Sequence, residues 1–498
     1  MNQGIEATVP YPQLLLSIDL GDEVAEVDAA LTESFVQTTD FDEFLSGRCD
    51  LITGIKGSGK SALLLMGMSS PPLKVRMVAA QPLRGPVIYE TDLPTALKGT
   101  DLEEYYLERW LLHTALTAAY ATLDLDNAGE VTELLQQCGL PADSSESEIS
   151  IWVSTGRVMR DVNTNNRDVV TRMLRAVGDS LDQADETVWV LYDRLDDVTF
   201  TKPEDEQTIL RGLLRAHIYL SRASRRVRSK LFLRSDILDR ATLRDGLRNL
   251  DKVPTLRLNM NARDISQLIA RRFMRSGVFR AYFGLQAAIP GLSSDSELKE
   301  VMRLILPDKR NRNVRAKPNL QDLYGRYFFD TTDGSCRYSA RNVLAYIRMA
   351  IVQQRRLCED RHLEFVPSHG PILSPKALHA AWMQLSENRL HSYVYAEFPA
   401  IRGFVERLEY GPWQYRSLEQ LGHRFFQDEA TIKDLRTIVE MLKYCGVLGE
   451  AGGKFQVGRV YRAALRCQQE PSRRTSPRRS GPERQRQESQ RLYQAQRQ

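Results

Sequence analysis

The chain has 498 residues, of which 42% are hydrophobic and 27% are charged, and its formal net charge is +4. This length exceeds one ordinary domain and suggests about three domains at roughly 150 residues each. No apolar run approaches the ~18 residues of a membrane span, which excludes an integral membrane helix. Because arginine is concentrated near the end of the chain, the remainder is close to neutral, and net charge says little about partners.

The cysteine pattern indicates a reducing compartment. The six cysteines are scattered, with no CxxC pair and no Cys/His group at zinc spacing. Residues 1–13 lack a basic stretch followed by an apolar one, so we expect no signal peptide. We therefore predict a cytoplasmic protein with reduced thiols and no membrane association.

The first half of the chain alternates apolar runs with amphipathic segments. The run at 187–192 is continuously apolar and too short for a helix, which is typical of a strand buried on both faces of a parallel sheet. The alternation predicts a doubly wound α/β domain. The predicted strands are 49–53, 86–91, 187–192 and 230–234, and the predicted helices are 28–35, 60–68, 101–123, 168–184 and 206–224.

After about residue 255 the strands are predicted to stop, and helices follow. An irregular stretch at 361–373 predicts a linker, and Ser374 and Pro375 suit the N-cap and first position of a helix that reaches about residue 398. Two more helices and a small hairpin then give the outline of a winged helix. These later elements are helices at 263–275, 297–306, 341–354, 417–425 and 432–445, and a hairpin of 446–449 with 454–457.

A glycine-rich loop follows the first predicted strand. Residues Gly54–Ser61 fit the pattern G-x-x-x-x-G-K-[ST] at every fixed position. Such a loop wraps its backbone N–H groups around phosphates, and the next helix adds its positive dipole end. Lys60 would reach the β- and γ-phosphates, and Ser61 would complete a Mg²⁺ shell. A chance glycine turn is the alternative, but the flanking strand and helix favour a site for ATP or another purine nucleoside triphosphate. The predicted nucleotide-binding residues are Gly54, Lys56, Gly57, Ser58, Gly59, Lys60, Ser61 and Ala62.

An acidic group follows the buried strand at 187–192. Asp193 is the predicted Mg²⁺ residue, directly or through water, and Asp196 or Asp197 would orient the attacking water. The alternative is that these carboxylates cap a helix N-terminus and interact with its dipole. Lys60 and Asp193 are therefore predicted to act in catalysis, together with one of the two following aspartates.

Arg234 ends the next predicted strand. A cation at that strand end would face the γ-phosphate and contribute to catalysis, while the alternative is an ion pair with Asp236 or Asp193. The residues alone leave both interpretations open.

Three sequence motifs carry a family resemblance. KGSGKSALL, VWVLYDRLDD and LFLRSD resemble the AAA+/STAND superclass of P-loop ATPases, and more narrowly the bacterial ATPases of conflict (anti-phage defence) loci. The resemblance covers residues 44–240. It implies ATP and Mg²⁺ as ligands, Arg234 at the sensor-1 position, and Arg341 as a nucleotide-binding sensor-2 residue on a helical lid, with Arg337 as its competitor.

Two departures from this resemblance affect the expected activity. Arg194 follows Asp193, where many AAA+ enzymes have a glutamate base, so we expect slow or partner-stimulated hydrolysis. The long interval between Lys60 and Asp193 implies a helical insertion near 95–165. The predicted parts are an N-terminal segment (1–43), a P-loop ATPase core (44–255), a helical lid (256–360), a winged-helix-like domain (375–467) and a disordered basic tail (468–498).

Basic segments suggest contacts with other molecules. Arginines at 222–228 would supply a finger to a neighbour's nucleotide in a homo-oligomer, or else form a solvated helix end. The basic loop at 309–317 and the arginine-rich tail are candidates for nucleic-acid phosphates, although solvated surface is the commoner role of such runs. With little aromatic interleaving, base stacking is not expected.

The predicted function is an ATP-binding and ATP-hydrolysing switch that acts with a protein effector in a bacterial defence system. One alternative is a DNA-binding AAA+ initiator or loader, and another is a nucleotide-binding scaffold with little turnover. The candidate recognition helix at 432–445 has a weak net charge, which favours the switch over the initiator. The acidic group beside an intact phosphate loop favours turnover over a scaffold.

Overall fold

The computed structural model describes residues 10–80, 102–143, 166–195, 203–242, 250–285, 292, 294–308, 319–360, 370–426 and 432–468. The chain divides into two compact units, of which the first comprises residues 1–332 and 336–385 and the second comprises 333–335 and 386–498. The five-part division predicted from the sequence is finer and stays a prediction. Among the described helices, none is long and apolar enough to cross a membrane.

A parallel sheet lies at the centre of the first unit. Neighbouring strands pair in the order β2-β3-β4-β1-β5, and every pairing is parallel. The carboxyl ends of parallel strands meet at one edge, and the register accordingly places Gly54 beside Arg234. The described strands are β1 (Leu51–Gly54), β2 (Val75–Ala79), β3 (Thr187–Tyr192), β4 (Val227–Arg234) and β5 (Thr255–Arg257).

Helices cover both faces of this sheet and continue after β5. The helices before β5 are α1 (Tyr11–Ser17), α2 (Leu31–Ser34), α3 (Thr39–Leu45), α4 (Lys60–Ser69), α5 (Leu102–Tyr120), α6 (Gly129–Gln137), α7 (Asn166–Ala184), α8 (Pro203–Ala223) and α9 (Ser235–Thr242). Those after it are α10 (Ala262–Met274), α11 (Gly277–Phe283), α12 (Asp295–Ile305), α13 (Leu320–Leu323), α14 (Gly325–Phe329), α15 (Ala340–Asp360) and α16 (Pro375–Arg389), which extends past the unit boundary.

Alternate side chains of β3 enter two different cores. Val188, Val190 and Tyr192 pack with the apolar faces of α5, α7 and α8. Trp189 and Leu191 pack on the other face, with side chains of α3 and α4. A strand buried on both faces needs apolar residues at every position, and this confirms the strand predicted from the continuous run and the doubly wound parallel core.

Two strands correct the sequence analysis. β2 was not predicted, because Arg76 interrupts its apolar pattern; the Arg76 guanidinium pairs there with Asp124 and Glu186 at the edge of the sheet. The prediction that strands stop after about residue 255 was also wrong, because β5 begins at Thr255 and pairs with β1. The strand predicted at 86–91 lies outside the described residues.

The second unit contains short helices and an antiparallel sheet. A hairpin of β7 (Leu448–Ala451) and β8 (Lys454–Val457) is joined by β6 (Gln414–Tyr415), in the order β6-β8-β7. Its helices are α17 (Arg402–Glu406), α18 (Leu418–Phe425) and α19 (Ile432–Tyr444). The two predicted helices and the hairpin are confirmed as elements, while their assignment to a winged helix, like the role of the first unit's later helices as a lid, stays a prediction.

Candidate functional site

The glycine loop joins β1 to α4, as the sequence predicts. Gly57 and Gly59 have φ angles of +77° and +95°, which side chains with a Cβ rarely adopt. A Cβ on Gly54 would lie 2.3 Å from the Ser58 hydroxyl oxygen. The backbone path therefore favours glycine at the fixed position 59 and at position 57, and the space beside Gly54 is occupied by the Ser58 side chain. This is the geometry of a P-loop.

Lys60 begins α4 and turns its ammonium toward the loop. Its Nζ donates hydrogen bonds to the carbonyls of Gly54 and Ile55, at 3.2 and 3.1 Å. The cation thus lies beside the backbone N–H groups of the loop and the N-terminus of α4. All three features attract phosphate oxygens.

Asp193 lies directly after β3 and faces the first turn of α4. Its side chain accepts a hydrogen bond of 2.6 Å from the Ser61 hydroxyl, and the residue is only 8% exposed. Burial raises the pKa of Asp193 to about 6, opposed by the hydrogen bond from Ser61 and the charge of Lys60. The negative charge of Glu26 adds to the rise. A buried carboxylate beside a hydroxyl, at a phosphate loop, is a suitable place for a divalent cation.

Arg234 both forms an ion pair and lies at the phosphate site, so the structure is compatible with both interpretations given by the sequence. Its guanidinium Nη2 donates a hydrogen bond of 2.7 Å to Asp236, so an ion pair is present. The same side chain lines the cavity in front of the P-loop, together with Asp193 and Lys60. β4 lies between β1 and β3, which brings this cation between the loop and the acid.

The start of α15 rests on the P-loop. The backbone N–H of Arg341 donates to the Gly57 carbonyl at 3.4 Å, and the Ser339 hydroxyl donates to the Lys56 carbonyl at 3.3 Å. Arg341 also lines the cavity. Arg337 is absent from the described lining of this cavity. It acts instead on Asp239, whose pKa is raised by burial, and the positive charge of Arg337 partly opposes that rise. Of the two sensor-2 candidates, Arg341 is therefore the better placed.

The cavity has a volume of about 430 Å³, and its lining includes a polar group of residues, here called the polar end, and an apolar group, here called the apolar end. The polar end contains the P-loop, Asp193 and Arg234. The apolar end brings together side chains from the N-terminal segment, the chain after β5, α10 and α15, of which Val36, Leu268 and Leu344 form a small buried cluster. The apolar lining residues include Phe35, Val36, Met260, Leu268 and Leu344, while Leu258 lines the cavity beside Gly54 of the P-loop.

The N-terminal segment is a cavity wall that the sequence analysis missed. Residues between 22 and 40 line the cavity. The segment is held by Asp28, which pairs in a buried position with Arg272 of α10 and accepts the backbone N–H groups of Asp22 and Ala30. Burial opposes ionisation, yet these hydrogen bonds keep the pKa of Asp28 below its ordinary value. No local motif marks this segment, because the partner arginine is 244 residues away in the chain.

Several predicted residues lie outside the described ranges or outside the cavity. Asp196, Asp197, the basic loop 309–317 and the tail from residue 469 are not described. In the arginine group at 222–228, Arg226 pairs with Asp182 and Arg228 pairs with Asp50. These two cations have intramolecular partners, which favours a structural role for them over a finger directed at a neighbour.

Comparison with solved structures gives several similarities, three of which are described here. A Walker-type ATPase of Pyrococcus abyssi is 12% identical, with a TM-score of 0.40, and the match covers 90% of this chain and 99% of that one. The Aeropyrum pernix ORC1 protein in complex with DNA is 12% identical, with a TM-score of 0.35 and coverage of 89% and 95%. The Aeropyrum pernix ORC2 protein, in ADPNP and ADP complexes, is 14% identical, with a TM-score of 0.38 and coverage of 86% and 88%. No protein family model and no curated protein matches the chain.

Proposed function

We propose that this chain binds ATP with Mg²⁺ and hydrolyses it slowly, as a switch whose state is sensed by a partner protein. The observation that carries the proposal is that three parts of this chain line one cavity. These are the P-loop with Lys60, the Asp193 carboxylate hydrogen-bonded to Ser61, and the start of α15 with Arg341.

The residues at the polar end fit a nucleotide-bound Mg²⁺ ion. In the described part of the chain, no three His, Cys, Asp or Glu side chains are arranged to hold a metal by themselves. Mg²⁺ in phosphate sites needs only one or two carboxylates, because phosphate oxygens and waters complete its shell. Ser61 and Asp193 would hold it on the protein side. The bound ion would neutralise charge on the β- and γ-phosphates.

The apolar end suits a purine base. Phe35, Leu268 and Leu344 offer flat and aliphatic surface in the same cavity as the P-loop. Nucleotide sites combine such an apolar lining with a few fixed polar groups. This division supports a nucleoside triphosphate over a free phosphate or a phosphorylated peptide.

ATP hydrolysis is proposed to be slow because no glutamate base follows Asp193. Arg194, with a φ angle of +53°, occupies the position after Asp193 and lines the cavity without offering a base. Asp196 and Asp197 remain the proposed groups for orienting water. Arg234 would stabilise negative charge that develops on the transferring phosphoryl group.

A switch requires an element that differs between nucleotide states. α15 begins on the P-loop, so a γ-phosphate near Arg341 would change the free energy of this contact, and ADP would not. We propose that a protein effector, in a bacterial defence system, senses this difference. In α19, Lys443 donates to both Glu440 and Glu450 at 2.9 Å, which weakens the case for a DNA-reading helix.

The proposal is tested by turnover and assembly state. ATPase activity should be low, dependent on Mg²⁺ and insensitive to DNA. Light scattering in ATP, in ADP and with co-expressed neighbouring gene products should show a complex that depends on the nucleotide. A monomer in all three conditions, with full biological activity when expressed alone, would overturn the switch. Strong stimulation by DNA would favour the initiator alternative.

A further inference from the structure

A second carboxylate reaches the polar end of the cavity from the N-terminal segment. Glu26 lies in a 3₁₀ turn, Ala25–Val27, which packs against α4. The first turn of α4 carries Lys60 and Ser61, and Glu26 lines the same cavity as both of them and Asp193. Its side chain therefore belongs to the wall that faces the P-loop.

Glu26 differs from its acidic neighbours in the same segment. Glu23 accepts a hydrogen bond from Arg348, and Asp28 is paired with Arg272. Within the described ranges, the half-buried Glu26 side chain has neither a hydrogen bond nor an ion pair. Its charge interacts unfavourably with that of Asp193. A divalent cation bound between two such acids would offset their repulsion.

We propose that Glu26 is the second carboxylate for the nucleotide-bound Mg²⁺, acting through the water in its shell. This inference rests on the proposed nucleotide site. Mg²⁺ in phosphate sites keeps several waters and is held by one or two carboxylates, and the proposed nucleotide site assigns one of them, Asp193. The inference gives the N-terminal segment a chemical role in addition to its role as a wall.

The test is the Mg²⁺ dependence of nucleotide binding, measured by fluorescence of an N-methylanthraniloyl ATP analogue. Wild type, Glu26→Gln and Glu33→Gln are titrated with MgCl₂ at fixed nucleotide, and then compared in EDTA. Glu33 is the matched control, because it lies in the same segment, pairs with Arg275 at an exposed position and does not line the cavity.

Glu26→Gln should raise the half-saturating Mg²⁺ concentration about three- to tenfold, which corresponds to the net free energy of one ordinary hydrogen bond, as for a contact made through water. Its affinity in EDTA should be unchanged or tighter, because a negative charge near the phosphates has been removed. Glu33→Gln should match wild type in both conditions. An unchanged Mg²⁺ titration for Glu26→Gln, or an equal loss with and without Mg²⁺, would overturn the inference alone. A wild-type protein that binds no nucleotide would overturn the proposed site itself.

Discussion

The Ser61 hydroxyl donates a hydrogen bond of 2.6 Å to the Asp193 carboxylate, and so joins the helix after the P-loop to the end of β3. These residues are 132 positions apart in the chain. The contact places the predicted metal residue beside the predicted phosphate site.

Asp193→Asn should preserve nucleotide binding and lower Mg²⁺-dependent turnover on the order of a hundredfold, because the amide keeps the shape but loses the charge that the metal requires. Steady-state phosphate release measures the effect. Asp185→Asn is the matched control, because Asp185 precedes β3 at an exposed position and pairs with Lys74. Normal turnover in Asp193→Asn, together with loss in Asp196→Asn, would reverse the assigned roles.

Asp28→Asn should destabilise the first unit by about 3–5 kcal/mol, because it leaves Arg272 as an unpaired buried cation. Nucleotide affinity should fall as well, since the same pair holds the N-terminal wall of the cavity. Urea unfolding with and without ATP measures both effects. Glu33→Gln removes a more exposed pair with Arg275 and should change stability by no more than about 1 kcal/mol. Equal effects of the two variants would contradict the anchoring role of Asp28.

Arg341→Ala should leave ATP binding within about tenfold of wild type and remove the difference between ATP and ADP states at α15. Hydrogen exchange of the α15 amides in each nucleotide reports this difference. Arg337→Ala is the matched comparison, because the sequence offers both arginines as candidates for the sensor-2 residue. If Arg337→Ala removes the difference and Arg341→Ala does not, the sensor assignment is wrong.

Acid should destabilise the first unit through His217. Burial lowers the pKa of His217 to about 4, opposed by Asp50, while its Nδ1 lies 2.8 Å from the Ser229 hydroxyl oxygen. The unfolded state binds the proton near pH 6.5 and the folded state only near pH 4, so the free energy of unfolding falls as pH decreases through this window. His217 contributes about 1.4 kcal/mol per pH unit to this slope, and the raised pKa of Asp193 contributes with the opposite sign below about pH 6.

His217→Asn should reduce the slope of unfolding free energy against pH by about 1.4 kcal/mol per pH unit between about 6.5 and 4, because the asparagine carries no titrating group, while the buried His113 and Asp193 still titrate in both proteins. Urea unfolding at pH 7, 6 and 5 measures the slope. His379→Asn, at an exposed position on α16, should retain the wild-type slope. A wild-type slope in His217→Asn would show that other groups cause the acid sensitivity.

The sequence predicted the P-loop and β3 because both signals are local. Gly57 and Gly59 are required by the loop backbone, and the run before Asp193 is apolar at every position because both faces of β3 are buried. The hydrogen bond between Ser61 and Asp193 follows from the parallel sheet, which brings strand ends to one edge.

The N-terminal wall could not be predicted in this way. Asp28 and Arg272 are each ordinary charged residues in sequence, and only the tertiary fold brings them together in a buried pair. Glu26 likewise carries no motif, and its place beside α4 depends on that anchor. β2 was not predicted for a related reason. Arg76 interrupts its apolar pattern, and the partners that accommodate this charge, Asp124 and Glu186, are distant in the chain.

The central claim is that the cavity in front of the P-loop binds ATP, and calorimetric titration tests it most directly. The wild-type chain, Lys60→Ala and the control Lys376→Ala, an exposed lysine on α16, are each titrated with ATP and MgCl₂. We expect saturable binding at one site for wild type and Lys376→Ala, and none for a folded Lys60→Ala. Equal ATP affinity in all three proteins would contradict it.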